Sequence, residues 1–229
     1  MFGTLYVISV PIGNISDISL RAKQYLEKLK FFACEDTRDF TRLLRDLDIP
    51  HIPMTKNLFS CFEHNEKKQI SKMIEWLKRG EDVGIVSSRG TPLISDPGYL
   101  LTRAAMDEGI RVVPLPGASS VMAALVASGL PADKFVFLGF PPRKKGEQRR
   151  FFEKFSDLDV TMVFFESPYR LYKTLKNNES LFGGAYVVVC RELTKPYEEI
   201  LRGKYEHISE IIKNRKILGE VTVVISRKR

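Results

Sequence analysis

Cysteine, histidine and tryptophan are scarce in this chain of 229 residues, which has three cysteines, three histidines and one tryptophan. Cys34, Cys61 and Cys190 are odd in number and far apart, and the histidines are equally scattered. No CxxC pair and no His/Cys cluster occurs. The sequence therefore predicts neither a disulfide framework nor a metal site.

Long hydrophobic runs are also missing. The longest, such as "YVVVC" and "MVFF", have the length of strands and fall far short of the roughly 20 residues that span a bilayer. The N-terminus, "MFGTLYVISVPIG", has no basic segment before its apolar residues, so we expect no signal peptide and a cytoplasmic location.

Several nucleotide and catalytic signatures are absent. The chain has no GxGxxG after its first strand, no GxxxxGK[ST], no GxSxG and no HExxH. These absences count against a dinucleotide-binding Rossmann enzyme, a P-loop NTPase and an α/β-hydrolase.

The charge balance is basic, with 36 Lys and Arg against 28 Asp and Glu, a net charge of +8 and an isoelectric point near 9.3. Such a balance is compatible with a polyanionic partner such as RNA, and equally with an ordinary basic protein. The segment "PPRKKGEQRR", residues 141–150, concentrates five of the positive charges.

Strand-like and helix-like segments alternate along the whole chain, which predicts an α/β fold. We expect two domains, residues 1–115 and 116–229, the first with a mostly parallel sheet. The second should have a mixed sheet, because "REL" and "EEILRG" are too close for a crossover helix. The segment "VMAALVASG" is apolar on nearly all sides, which predicts a helix buried between layers.

Three loops rich in glycine and proline follow predicted strands. They read "PIGNISD", "SSRGTPLISDPG" and "PLPGASS". Ligands in open α/β sheets bind at the carboxyl ends of the strands, where helix N-termini offer backbone N–H groups. The three loops therefore predict a ligand cleft, without naming the ligand.

Seven motifs give the sequence a family resemblance: "LYVISVPIGNISDISLRA", "ACEDTR", "EHNE", "GTPLISDPG", "VVPLPGASS", "FESPYRL" and "RELTKPYEE". In their order and spacing the chain closely resembles the ribosomal RNA small subunit methyltransferase I family of the tetrapyrrole methylase (class III methyltransferase) superfamily. The resemblance runs from about residue 4 to residue 226.

This resemblance implies two α/β domains that bind S-adenosylmethionine in a cleft between them, usually as a homodimer. It implies methylation of a cytidine ribose 2′-hydroxyl in small-subunit (16S) ribosomal RNA, free or assembled in the 30S subunit. The implied cofactor-binding residues are Pro11, Gly13, Ser88, Gly90, Thr91, Pro92, Ala118, Ser119, Ser120, Phe165, Glu166, Glu192 and Leu193. For Ser119 and Ser120, simple capping of the helix that follows is an equally good interpretation.

A carboxylate near the cleft could accept the proton of the 2′-hydroxyl. The catalytic candidates are Asp36, Asp96 and Glu166, and none of them stands out from the sequence. Asp96 precedes a proline, so it also fits the N-cap of a helix that begins at Pro97.

For contact with RNA, basic residues would bind phosphates while an aromatic or polar pocket would hold an unstacked base. The alternative for the basic segment is a solvated surface loop. The predicted RNA-binding residues are Arg38, His64, Arg143, Lys144, Lys145, Arg149, Tyr169 and Arg170.

Two features depart from the family pattern. Ser88 and Arg89 stand where the family usually has Asp-Ala before Gly-Thr-Pro, and many relatives continue with a helical C-terminal extension after the last strand. The first departure leaves room for a non-catalytic RNA- or ribosome-binding protein. A methylase acting on a small tetrapyrrole is the other alternative, against which the basic segment and the "ACEDTR" and "EHNE" motifs argue.

Overall fold

The computed structural model describes residues 1–49, 58–60 and 66–229. The chain forms two compact units, Met1–Ser119 and Ser120–Arg229. No helix among the described residues is long and apolar enough to cross a membrane. In the same part of the chain, no group of His, Cys, Asp and Glu side chains is placed to hold a metal ion.

The first unit is a parallel sheet between two layers of helices. Its strand order is β3-β2-β4-β1-β5, and the pairings of these strands are all parallel, where a mostly parallel sheet was predicted. The elements are β1 (Thr4–Ile8), a 3₁₀ helix (Ile15–Asp17), α1 (Leu20–Lys28), β2 (Phe31–Cys34), α2 (Thr37–Asp46), β3 (Leu58–Ser60), α3 (Glu66–Lys78), β4 (Val83–Val86), α4 (Tyr99–Asp107) and β5 (Arg111–Leu115).

Both faces of this sheet are apolar, as expected of strands that are buried on two sides. On one face, side chains of α1 and α2 pack against the sheet around Phe32. On the other face, α3 and α4 pack around Leu5 and Ile85. Ser19 caps α1, because its hydroxyl accepts a hydrogen bond from the backbone N–H of Ala22 at 3.1 Å.

The second unit has a mixed sheet, with strand order β6-β7-β10-β8-β9. Only β6 and β7 are parallel, and the predicted antiparallel pairing of β8 with β9 is confirmed. The elements are α5 (Ser120–Ser128), β6 (Phe135–Phe137), α6 (Lys145–Ser156), β7 (Thr161–Glu166), α7 (Leu171–Asn177), α8 (Glu179–Phe182), β8 (Tyr186–Arg191), β9 (Glu199–Lys204), α9 (Tyr205–Lys213) and β10 (Val221–Ser226).

Helix α5 differs from its prediction. It packs on the second sheet through buried residues that include Val121 and Leu125, but Met122 and Val126 are 48% and 71% exposed. A helix that is apolar all round was expected to be covered on all sides. Uniform hydrophobicity shows no preferred face, so it could not indicate which side would be exposed.

Candidate functional site

Three loops of the first unit meet because of the strand order. β1 lies between β4 and β5, so the loops that follow these three strands leave the same sheet edge side by side. They are the three glycine- and proline-rich loops that the sequence singles out. Pro11 and Pro92 are buried within them, while Gly13 is exposed.

Gly90 joins the β4 loop to the β1 loop. Its N–H donates to the Val10 carbonyl at 3.1 Å, and the Val10 N–H donates back to the Gly90 carbonyl at 2.8 Å. Gly90 has φ of +73°, and a Cβ there would lie 3.2 Å from Ile12 Cγ2 and 3.7 Å from the Ala118 carbonyl oxygen. The position therefore favours glycine for its backbone conformation and for the close approach of two loops.

Thr91 joins the β4 loop to the β5 loop. Its hydroxyl donates to the Ala118 carbonyl at 3.1 Å and lies 3.0 Å from the Ser9 hydroxyl, which can donate to it. Gly117 permits this contact, because a Cβ at that position would lie 2.8 Å from Ser9 Cβ. Ser119 and Ser120 follow directly and are half-buried at the start of α5. The three loops thus form one hydrogen-bonded rim.

Replacement of Gly90 by valine tests whether this rim holds the cofactor. The valine would need a left-handed backbone, which costs roughly 1–2 kcal/mol, and its side chain would meet Ile12. We expect the dissociation constant for S-adenosylmethionine, measured by calorimetry, to rise at least tenfold while the protein stays folded.

Gly109→Val is the matched control. Gly109 has φ of +70°, but a Cβ there would meet nothing within 4 Å. This variant should lose similar stability and keep its affinity for the cofactor. Equal affinities of the Gly90 variant and the wild type would move the cofactor site away from this rim.

Acidic and hydroxyl groups line the β2 side of the same edge. Glu35 follows β2, and its Oε2 accepts a hydrogen bond from the Ser88 N–H at 2.9 Å. Asp96 is half-buried, and its pKa is raised to about 6, first by burial and then by the negative charge of Glu35, with Ser87 acting in the opposite direction. Asp96 thus holds its proton more tightly than an ordinary carboxyl group and is a stronger base once ionised.

Asp36 lies at the same edge in a different setting. Its carboxylate caps α2 by accepting from the Arg38 N–H at 2.8 Å, and it accepts two further bonds from the Arg38 guanidinium. These bonds hold the pKa of Asp36 far below its usual range. Arg38 itself is highly exposed, with 87% of its side chain accessible. Asp36 is therefore a weak base, and the Arg38 guanidinium remains open to solvent.

The interpretation of Asp96 as a helix N-cap is wrong. α4 begins at Tyr99, and its N-cap is Gly98, with φ of +117° and no side-chain capping bond. A Cβ at Gly98 would lie 2.3 Å from Ile85 Cδ1, so packing on the strand beneath sets the start of the helix. In the same loop, Leu93 and Ser95 have φ of +73° and +66°. Strain of this kind is concentrated at binding and catalytic sites.

In the second unit, Glu166 is engaged on every side. Its side chain is fully buried, and it accepts from the Ser167 N–H at 2.7 Å and the Thr174 hydroxyl at 2.6 Å. The Arg170 guanidinium lies 3.3 Å from Oε1 and also donates to the carbonyls of Pro141 and Pro142, at 2.9 and 3.2 Å. These contacts support a positioning role for Glu166 and for Arg170.

The "REL" segment forms a second rigid loop, between β8 and β9. Glu192 has φ of +51°, and its carboxylate accepts from the Lys195 ammonium at 2.9 Å and from the Glu220 N–H at 2.8 Å. Gly219 leaves room for this side chain, and Leu193 beside it is buried. Phe165 is half-buried at the end of β7. The cofactor contacts predicted for these second-unit residues stay predictions.

The predicted RNA contacts in the second unit are mostly surface groups. Tyr169 is 82% exposed, and the four basic residues of the 141–150 segment are also exposed. These four are Arg143, Lys144, Lys145 and Arg149. Arg170 is three-quarters buried by its bonds to the same segment. His64 lies outside the described residues.

Comparison with known proteins identifies the family. The model of the Tetrapyrrole (Corrin/Porphyrin) Methylases matches residues 4–209. Ribosomal RNA small subunit methyltransferase I of Halalkalibacterium halodurans is 41% identical over 223 residues, which are 97% of this chain and 75% of that protein. The chain belongs to the ribosomal RNA small subunit methyltransferase I family of the tetrapyrrole methylases.

Members of this methyltransferase I family differ in length. The relative from Hydrogenobaculum sp. is 42% identical over 226 residues, 98% of this chain and 96% of that protein. The crystal structure of uroporphyrin-III C-methyltransferase from Thermus thermophilus, complexed with S-adenosyl homocysteine, has the same fold. It superposes with a TM-score of 0.65 at 17% identity, covering 98% of this chain and 97% of the other. The Hydrogenobaculum relative shows that members of the methyltransferase I family occur close to the length of this chain.

The family motifs contain most of the residues whose bonds hold these loops, but do not single them out. Ser9, Glu35 and Lys195 fall inside the motifs, whereas Ser87 lies outside them. The Ser9 hydroxyl meets that of Thr91, 82 residues further along the chain, and the Ser87 hydroxyl donates to the Arg89 carbonyl within the β4 loop. Lys195 donates to Glu192 in the second unit. Residue type alone indicates none of these bonds.

Proposed function

We propose that this protein transfers a methyl group from S-adenosylmethionine to the ribose 2′-hydroxyl of a cytidine in small-subunit ribosomal RNA. The observation that carries the proposal is the 41–42% identity, over nearly the whole chain, to proteins named ribosomal RNA small subunit methyltransferase I. The basic charge of the chain agrees with a polyanionic substrate.

The cofactor would lie on the rim of the first unit. Thr91 and Pro92 lie at the sheet edge beside Gly90, whose own backbone groups bind the β1 loop. Ala118 to Ser120 lead into α5, where the N–H groups of a first helical turn favour a carboxylate. Gly13 is exposed in the neighbouring loop. The backbone N–H of Ser88 donates to the Glu35 carboxylate. This residue therefore contributes to the sheet edge through its main chain, despite the departure of its side chain from the family pattern.

The reaction moves the methyl carbon from the sulfonium to the ribose oxygen, while the hydroxyl proton passes to a base. Because the donor is already activated, alignment of oxygen, carbon and sulfur at about 3–3.5 Å supplies much of the rate. Among the three catalytic candidates, Asp96 fits the base best. Asp36 is neutralised by Arg38, and Glu166 is committed to three internal groups, whereas burial and Glu35 raise the basicity of Asp96.

Small ribosomal subunits that lack the modification provide the direct test. Incubated with the protein and S-adenosylmethionine labelled in its methyl group, they should yield labelled ribosomal RNA, and nucleoside digestion should release 2′-O-methylcytidine. Free RNA of the same sequence, in parallel, shows whether assembly is needed. Label on an added tetrapyrrole instead of RNA would overturn the proposal, and binding of RNA without any methyl transfer would support a non-catalytic protein.

The family resemblance also supports a homodimer and a location with ribosomes in the cytoplasm. Sedimentation equilibrium of the purified chain tests the first point. A mass near 52 kDa would be expected for a dimer, since one chain has a mass of 26.2 kDa.

A further inference from the structure

Phe140 is an aromatic residue in an unexpected place. It follows β6 and is 59% exposed, directly before the basic segment of residues 141–150. An isolated exposed apolar side chain is common on protein surfaces. Phe140 differs from that case because the backbone and the ring beneath it are held in place from several directions.

The first set of contacts fixes the chain at Phe140. The Gly139 carbonyl accepts from the Phe165 N–H at 2.9 Å, and Gly139 has φ of +60°, which turns the chain out of the sheet. The Phe140 ring then rests on the Phe165 ring, with centroids 5.4 Å apart, and Phe165 packs edge-on against Phe137 at 4.9 Å. One side of the exposed ring is thus supported by a cluster of two further aromatic rings.

A second set of contacts fixes the two prolines that follow. Arg170 donates to the carbonyls of Pro141 and Pro142, and Gln148 donates to the Pro142 carbonyl at 3.1 Å. Gln148 is itself buried in the second unit. The loop therefore presents Phe140 on a rigid backbone, and ordering it costs little further entropy when a ligand binds.

Positive charge is concentrated in the segment that directly follows Phe140. The segment 141–150 has five basic residues and one acidic residue, Glu147. Lys144 pairs with Glu147 at 3.3 Å, and Arg149 pairs with Glu153 at 2.8 Å. Both pairs are exposed, so they are easily exchanged for a phosphate. Arg170 also links the turn that carries the exposed Tyr169 to the Phe140 loop.

We propose that Phe140 is a stacking platform for one unpaired base of the RNA substrate, with Arg143 and Lys144 binding the phosphates that flank this base. An exposed, rigid aromatic ring beside a basic segment is the arrangement that binds single-stranded nucleic acid, because every base has a face to stack and a phosphate beside it. The proposal rests on the proposed function and extends it by naming the surface that receives the RNA.

Binding of a labelled small-subunit rRNA hairpin with an unpaired cytidine in its loop tests the platform. We expect Phe140→Ala to raise the dissociation constant of the hairpin, measured by fluorescence anisotropy, by about 5- to 150-fold, the range found for loss of one stacked base. Phe140→Leu should weaken binding similarly, while Phe140→Trp should preserve it. A fully paired duplex of the same composition should bind all variants equally.

Phe135→Ala is the matched control, because Phe135 is an exposed phenylalanine at the other end of β6. It should leave hairpin affinity unchanged. Replacement of both Arg143 and Lys144 by alanine should lower the slope of log affinity against log salt by about 1.4, since single strands give roughly 0.7 per phosphate contact. The effect of Phe140→Ala should persist in that background.

Two results would overturn the platform. One is an unchanged hairpin affinity of Phe140→Ala while the wild type binds and methylates RNA. The other is an equal loss of S-adenosylmethionine affinity, which would place the ring at the cofactor. Failure of the proposed function looks different, because the wild type itself would then label no RNA, whether or not it binds the hairpin.

Discussion

Asp96→Asn is expected to slow methyl transfer by about 10²–10⁴-fold, the usual contribution of a general base. The Asp96 carboxylate lies near Glu35 and Ser87 at the sheet edge, in the loop that carries Gly90 and Thr91. Asparagine has nearly the same shape but cannot accept the hydroxyl proton. Single-turnover measurements with small ribosomal subunits report the chemical step, while calorimetry should show an unchanged affinity for S-adenosylmethionine.

The pH dependence of the rate gives Asp96 a second signature. A base must be deprotonated to act, and the pKa of Asp96 is raised to about 6 by burial and by Glu35. The wild-type rate should therefore rise through pH 6 and level off above pH 7, and Asp96→Asn should remove this step. Asp107→Asn is the control, because Asp107 is an exposed residue of α4 that pairs only with Arg103 among the described residues. A wild-type profile that is flat from pH 5 to 8 would contradict the assignment.

The Asp96→Asn variant should lose activity but gain stability at neutral pH. The folded-state pKa of Asp96 lies above the unfolded value near 3.9, so the folded protein holds this proton more tightly. Ionisation of Asp96 therefore lowers the free energy of unfolding as pH rises from 4 to above 6. Asparagine removes this penalty. At pH 7 we expect Asp96→Asn to be more stable by about 1–3 kcal/mol, and no more stable at pH 4. A purely structural carboxylate would give a loss instead.

Much of the fold could be predicted because the patterns that define it are local. A serine directly before an apolar pattern with a period of 3.6 residues indicates a helix N-cap, and Ser19 is such a residue. The short span between Arg191 and Glu199 permits only an antiparallel return of the chain. Such features need no knowledge of distant parts of the chain. The class of the fold and the mixed second sheet were confirmed for this reason.

The details of the site depend on distant contacts and could not be predicted in the same way. The bonds of Thr91 to Ser9 and Ala118 exist because β1 lies between β4 and β5, and strand order has no local signal. The N-cap interpretation of Asp96 failed for a related reason. The packing of Gly98 on Ile85 overrode the Asp-Pro pattern and moved the helix start to Tyr99.

A buried network around Glu166, one of the three catalytic candidates, favours a structural role for this residue. Glu166 binds Thr174, which accepts from the Gln148 amide at 3.0 Å, and Gln148 accepts from Asn178 at 3.1 Å. All four of these residues are buried. Through Arg170 the same carboxylate holds the loop that presents Phe140. Its effect on RNA binding would therefore act through structure.

Glu166→Ala is expected to lower the free energy of unfolding by about 3–5 kcal/mol, measured by urea denaturation. Removal of one partner from a buried ion pair leaves the other partner uncompensated, and here the Ser167 N–H and the Thr174 hydroxyl also lose their acceptor. Against a typical total of 5–15 kcal/mol, this loss is large.

Glu166→Gln is the discriminating companion variant. Glutamine can still accept from the Ser167 N–H and can donate to Thr174, so the stability loss should stay within about 1–2 kcal/mol. If Glu166 only positions the loop, this variant should methylate ribosomal RNA at close to the wild-type rate. A 10²-fold or larger loss of rate in a stably folded Glu166→Gln protein that binds the RNA hairpin with wild-type affinity would instead assign the base to Glu166 rather than to Asp96, because an amide cannot take the proton.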